Sequence, residues 1–159
     1  MSFTLTPPKH THTKQLCHIT RADTEHSLYR IHRSHNGFKL FDSHTHELLY
    51  KAVIDITLNV VQIVDAKSEQ VLLTTRQKGH LFPITQVFTG DNTAVEPYVE
   101  VCAALDYELC ERETGRVLAV VDRVVRYAER AHCNVCVDTG LNAPVLLLLI
   151  STINDVVEL

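Results

Sequence analysis

The sequence predicts a mainly β domain: an antiparallel barrel that encloses a hydrophobic C-terminal α-helix. Three observations carry this reading. Short β-branched and aromatic segments alternate with turn signals from about residue 16 to residue 137, the spacing of a barrel or sandwich. None of those segments shows the 3.6-residue apolar period of an amphipathic helix. One last segment, after Gly140, is apolar on every face yet short.

Residues 1–15 are polar, with Pro7-Pro8 and alternating Thr and His, and read as a loose tail before a single domain over 16–159. Ser27 to Arg33 alternates Leu28, Arg30 and His32 with Tyr29, Ile31 and Arg33, and Asn36-Gly37 supplies a tight hairpin turn into Phe38 to Asp42. Ser43 to Thr45 turns again. Glu47 to Leu58 reads as one long β-branched strand, Val60 to Asp65 as the next, and Gln70 to Thr75 as its partner after a turn at Ala66 to Glu69. Gly79 and Pro83 break the chain before Ile84 to Phe88, and Thr89 to Thr93 is a strong turn signal. Tyr98 to Ala104, Tyr107 to Glu111, Arg116 to Val121, Val124 to Tyr127 and Asn134 to Val137 complete the β region, with a turn at Glu113-Thr114-Gly115.

The terminal segment differs in kind. Asn142 is a good N-cap and Pro144 falls in the first turn, where its missing N–H costs nothing. Val145 to Ile150 (VLLLLI) follows, and a helix is expected over about 143–157. A helix apolar all round must be buried all round. Ala143 to Ile150 is the longest apolar run, well short of the ~20 residues of a membrane span. Protein must therefore surround it, and threading it through a barrel is one way to do so.

The formal charge of −4 argues against a general nucleic-acid binder, and a transmembrane protein is not expected. Eight of the ten His lie at or before His46. Full protonation of the ten would reverse the sign of the net charge, since free His titrates near pH ~6.5. The five Cys (Cys17, Cys102, Cys110, Cys133, Cys136) are odd in number and scattered, unlike a disulfide framework. With no apolar run in the first fifteen residues to act as a leader, an intracellular, reduced protein is expected.

Candidate chemistry is sparse. No nucleophile elbow, phosphate loop or dinucleotide fingerprint is present, so no catalytic residue and no cofactor is expected. Asp138-Thr139-Gly140 has the form by which an aspartic protease presents a carboxylate, but such an enzyme needs two Asp sharing a proton. Cys133 and Cys136 have the spacing of half a zinc site, yet positions three apart in a strand face opposite ways. His44 and His46, like His10 and His12 in the tail, each place two imidazoles on one side without a third ligand, so no metal is expected. Lys67, Arg76, Lys78 and His80 form one basic group around a hairpin, and Arg123, Arg126 and Arg130 a second. Lys67, Arg76, Lys78, Arg123 and Arg126 are the candidate contacts for an anionic head group; the plain alternative is solvated surface.

The chain resembles the tubby C-terminal-like superfamily, and within it the LURP-one-related proteins and their phospholipid-scramblase relatives. The likeness rests on Gly37-Phe38-Lys39-Leu40 through Leu48-Leu49-Tyr50, on Val60 to Ala66 with Val71 to Arg76 and Gln86-Val87-Phe88, and on Val117 to Arg123 with Cys136-Val137-Asp138 and Gly140-Leu141-Asn142 before the apolar helix. It spans about residues 25–159. It implies a barrel of about twelve strands around the helix, and a non-catalytic binding or scaffold domain engaging phosphoinositide or another membrane lipid at the cytoplasmic face. No phosphoinositide motif of tubby carries over residue by residue. A protein-interaction module in signalling or stress response is the alternative expectation, and an aspartic-type hydrolase using Asp138 the remote one.

Overall fold

In the computed structural model the described residues are 1–7, 15–79, 84–102, 104, 106–124 and 132–157. They form twelve strands and one helix: β1 (Ser2–Thr6), β2 (Gln15–Arg21), β3 (Ser27–Ser34), β4 (Gly37–Asp42), β5 (Leu48–Asp55), β6 (Val60–Asp65), β7 (Val71–Lys78), β8 (Ile84–Thr89), β9 (Val99–Val101), β10 (Asp106–Cys110), β11 (Val117–Val124), β12 (His132–Val137) and α1 (Ala143–Val157). The strands make one antiparallel sheet in the order β10-β11-β12-β1-β2-β3-β4-β5-β6-β7-β8-β9. Its two ends meet: Val99 bridges Glu111, the Arg112 N–H donates to Tyr98 O at 2.9 Å, and Arg112 pairs with Glu96 across the seam. The result is a nearly closed barrel, which leaves little exposed strand edge.

Period-2 alternation sends one set of side chains inward. Phe3, Leu5, Ile19, Ile31, Leu40, Ala52, Ile63, Val87, Val99, Leu109, Val121 and Val135 are all buried and point at α1. The helix supplies the rest of the core. From Val145 to Ile153 no residue exceeds 9% exposure, and nine consecutive residues cover every face of a helix, so strands surround it. Its polar groups are satisfied locally. Ser151 Oγ donates to Leu147 O and Thr152 Oγ1 to Leu148 O, each at 2.9 Å. Asn142 caps the start, its Oδ1 accepting from Val145 N at 3.4 Å while its Nδ2 donates to Tyr50 Oη at 3.0 Å. Tyr107 Oη ties the other end to Asn154 Oδ1 at 2.6 Å.

The expected N-terminal tail is corrected in part. Ser2–Thr6 is a strand between β12 and β2, anchored by Met1 N donating to Val137 O at 2.8 Å. Phe3 and Leu5 face the core while Thr4 and Thr6 face out. Two apolar positions in a Thr-rich pentapeptide give little local signal, and pairing on both sides holds the strand. The Glu47–Leu58 strand ends earlier than expected: residues 56–59 are the β5–β6 turn, with Asp55 Oδ1 accepting from Leu58 N at 3.1 Å and Asn59 at φ 54°. Expected features at residues 8–14, 80–83 and 125–131, including His10, His12, His80, Arg126 and Arg130, lie outside the described residues.

Three hairpins share one turn design. Asp42, Asp65 and Glu111 each accept at their carbonyl from the N–H four residues on, in His46, Glu69 and Gly115, and each of those three has φ between 60° and 73°. A register shift follows in each strand pair, at Leu40/Phe41, Ile63/Val64 and Leu109/Cys110, the bulge such turns carry. In the first two, the Asp Oδ1 also accepts two backbone N–H groups, His44 and Thr45 for Asp42, and Lys67 and Ser68 for Asp65, at 2.8–2.9 Å. These bonds, with Thr45 leading at Asp42 and Ser68 at Asp65, hold both carboxyls below the ordinary carboxylate value. A depressed folded value gives stability that is complete above the unfolded value, ~3.9, and is lost as pH falls below it. Replacing both residues by Asn is therefore expected to flatten the acid side of a melting-temperature profile recorded from neutral pH to about pH 3.

Candidate functional site

The barrel has two mouths. At the near mouth β12 ends and α1 begins; at the far mouth α1 ends. Because the strands alternate, the turns after β2, β4, β6, β8 and β10 gather at the near mouth, and the C-terminal ends of β1, β3, β5, β7, β9 and β11, with the β3–β4 and β5–β6 turns, at the far one.

Acid collects at the near mouth. Asp23, Glu25, Asp91, Glu96, Glu111 and Glu113 all stand in its turns, and three of its basic residues are engaged: Lys67 Nζ lies 2.8 Å from Glu47 Oε1, Arg112 pairs with Glu96 and Arg116 with Asp138. A groove of about 630 Å³ here is lined by Glu96, Tyr98, Glu111, Arg112 and Glu113. Beside it, an apolar gap of about 130 Å³ opens between Leu73, Val87, Val99, Val145 and Leu149.

The far mouth has another character. Its β5–β6 turn presents Ile56 at 89% exposure and Leu58 at 67%, with Ile54 at 40% behind them. These are fully or largely solvated apolar side chains gathered at one tip, unlike scattered surface aliphatics. The tip is fixed: Ile54 N donates to Asn36 O at 2.7 Å, tying it to the β3–β4 turn, where His35 sits and beside which Arg33 stands near the end of β3. The Arg33 guanidinium lies 5.4 Å from the Phe38 ring centre. On the other side, β7 runs two residues past the Val60–Arg76 pair, which places exposed Lys78 level with the tip. Between tip and helix lies a cavity of about 250 Å³ lined by Phe38, Val61, Thr75, Gln77, Thr152 and Ile153. The far mouth also holds acid: Asp106 and Asp122 face each other across β10 and β11, and the hydrogen bond from Asp122 raises the Asp106 carboxyl.

The basic residues singled out from the sequence do not converge. Lys67 is at the near mouth. Arg76 is on the outer wall, its guanidinium 5.2 Å from the Phe88 ring centre and donating to Gln86 Oε1 at 3.1 Å, with Gln86 passing on to Glu100 at 3.0 Å. Lys78 is at the far mouth. Arg123 pairs with inward-facing Cys133 on β12 and so turns toward the barrel interior near Tyr107. Arg126 lies outside the described residues.

The remaining candidates are placed as follows. Asp138 is half-buried at the near mouth, its Oδ2 accepting from Arg116 at 3.0 and 2.5 Å, so its carboxyl group is engaged by a guanidinium. Cys133 is buried and Cys136 exposed, on opposite faces of β12. Burial pushes the inward thiol of Cys17 up to about 12, a core group rather than a nucleophile. Among the described residues no three His, Cys, Asp or Glu side chains come together as a metal site, and no helix is long and apolar enough to cross a membrane.

No family model and no curated protein matches the chain. The fold does have a solved counterpart. The X-ray structure of a protein from Arabidopsis thaliana, AT5G01750, superposes with a TM-score of 0.71 at 13% identity, over 98% of this chain and 90% of that one. At that identity the likeness is one of fold.

Proposed function

We propose that this barrel is a non-catalytic binding domain that docks on the cytoplasmic face of an anionic membrane through its far mouth. The observation that carries the reading is the Ile56–Leu58 tip. Solvated aliphatic side chains on a tethered turn, with Lys78 on one side and Arg33 and His35 on the other, match the interfacial layer of a bilayer: hydrocarbon at depth, phosphate above it. The acid-rich near mouth would then face away from the lipid, which orients the molecule. The sequence resemblance to lipid-engaging relatives supports the same reading, and five free thiols suit a reducing compartment.

Co-sedimentation with vesicles tests it. The protein is expected to pellet with vesicles containing phosphatidylserine or a phosphoinositide and to stay in solution with phosphatidylcholine alone. Ile56→Ser with Leu58→Ser should remove roughly 3 kcal/mol of apolar transfer, about a hundredfold in partitioning, with no loss of fold, since both side chains are already in water. Failure to pellet with either anionic vesicle at neutral or mildly acidic pH removes the lipid reading. A protein-interaction module without lipid is then the surviving alternative. The acid-rich groove at the near mouth favours it, and a basic partner recovered by affinity capture and released by charge reversal at Glu111 and Glu113 would establish it.

A further inference from the structure

The outer wall of β2–β4 holds a group of basic side chains that neither the core nor the far mouth uses. His18 is the cross-strand partner of Arg30, His32 stands two residues along β3 on the same face, and Lys39 is the cross-strand partner of His32. His46 reaches in from the β4–β5 turn, its Nδ1 at 2.8 Å from an Arg30 terminal nitrogen. Phe41, paired with Arg30, floors the site with its ring centre 5.2 Å from that of His32. Two polar atoms here, Arg30 Nε and His32 Nε2, are cut off from water and have no hydrogen-bond partner. The carboxylates of the adjoining turn are committed elsewhere, Asp42 to the His44 and Thr45 amides and Glu47 to Lys67. Lys51, next along the row from Lys39, is held by Glu69.

From this arrangement we infer that the Arg30, His18, His32, His46 and Lys39 face is a proton-gated binding site for an oxyanion of the phosphate class. The chemistry follows from donor and acceptor capacity. A guanidinium has no acceptor, so the short contact makes His46 Nδ1 the acceptor and leaves the ring proton on Nε2. In that state His46 occupies Arg30. Protonating His46 removes the acceptor, releases an Arg30 N–H and adds a second positive charge beside it. His32, when protonated, adds another donor. The site then holds convergent donors and positive charge around Arg30, His32, His46 and Lys39 that the carboxylates of Asp42 and Glu47, the acids of the adjoining turn among the described residues, do not neutralise, and a tetrahedral oxyanion supplies what is missing. Burial first, then the charges of Arg30 and His18, lowers the His32 value in the free protein. A bound anion reverses the sign of that field, so binding takes up protons and tightens as pH falls through the imidazole range, roughly tenfold per pH unit for each proton coupled.

The test follows the titration of His32 and His46 by NMR with inorganic phosphate, against chloride at matched ionic strength, in the wild type, Arg30→Gln and His32→Phe. Phe is chosen because it keeps the packing on Phe41. A second arm uses vesicles carrying a phosphoinositide. If phosphate raises both midpoints by about one pH unit, and Arg30→Gln abolishes the rise while its melting temperature holds, the site binds free phosphate. If only phosphoinositide vesicles produce the rise, and Arg30→Gln abolishes it, the site stands with a lipid head group as its source. Midpoints unmoved by either ligand, or moved equally in Arg30→Gln, overturn the proposal. Because the Ile56→Ser, Leu58→Ser protein keeps this wall intact, its response to free phosphate separates failure here from failure of membrane docking.

Discussion

Leu148→Ala is expected to destabilise the protein by about 2–5 kcal/mol, the range for large-to-small changes at enclosed core sites. Leu148 is wholly buried, as are Leu147 and Ile150 beside it. The cost is set by how far the surroundings can collapse onto the space left behind. Here the surroundings are the wall of a sheet hydrogen-bonded almost to closure, and a barrel wall cannot move in at one point without disturbing pairings on both sides. The effect therefore belongs at the upper part of the range. With a net stability of ~5–15 kcal/mol typical of such domains, one truncation would leave the fold marginal. Ile153→Val should cost less, about 0.5–1.5 kcal/mol, because Ile153 already borders the far-mouth cavity. Urea unfolding followed by circular dichroism measures both. A loss below 1 kcal/mol at Leu148 would mean that the strands do not close around α1.

Gly37→Ala is expected to be at least as damaging, through the backbone rather than the core. Gly37 follows Asn36 in the β3–β4 turn and pairs with Ser34 on one side and Val53 on the other. Its φ of 151° is open to glycine and strained for any L side chain. A Cβ there would fall inside the contact radius of the Ala52 carbonyl oxygen and 2.9 Å from its carbon. These are main-chain atoms of the neighbouring strand, so relief requires β4 and β5 to separate. That separation would also disturb the bond from Ile54 N to Asn36 O that fixes the far-mouth tip. A loss above about 3 kcal/mol, or failure to accumulate folded protein, is expected. Gly115→Ala is the matched control. Its φ of 73° is also left-handed, yet a Cβ there meets nothing within 4 Å, so only the conformational cost of about 1–2 kcal/mol applies. Equal losses at the two positions would show that the close approach to Ala52 does not constrain the fold.

The terminal helix was legible because its signal is compositional: VLLLLI with an Asn cap and a first-turn Pro has few alternatives in a chain without a membrane-length span. The β3–β4 hairpin was legible because Asn36-Gly37 sits between two alternating runs. Strand β1 was not, since Phe3 and Leu5 gain their meaning from partners on β12 more than 120 residues away. The β5–β6 tip was hidden by its own composition. Ile56 and Thr57 read as a continuing strand, and it is the Asp55 side chain with the left-handed Asn59 that turns the chain there, leaving Ile56 and Leu58 in water. The His46 and Glu69 turns carry no glycine where Gly115 does, so only the first-position Asp marks them in the sequence.

The basic residues show the same division. Lys67, Arg76, Lys78 and Arg123 were identifiable as charged positions in strands and turns. Whether they share a surface depended on which mouth each turn reaches and which side of the wall each strand residue faces. Likewise His18, Arg30, His32 and His46 are scattered over 29 positions and become one cluster through the pairing of β2, β3 and β4. Local composition and period thus determined the kinds of element, about ten short strands' worth of alternation and one enclosed helix, because those preferences act within a few residues. The tertiary structure alone decided register, closure and the company each charge keeps, because a one-residue shift in strand pairing turns every side chain to the opposite face, and no local preference fixes that shift.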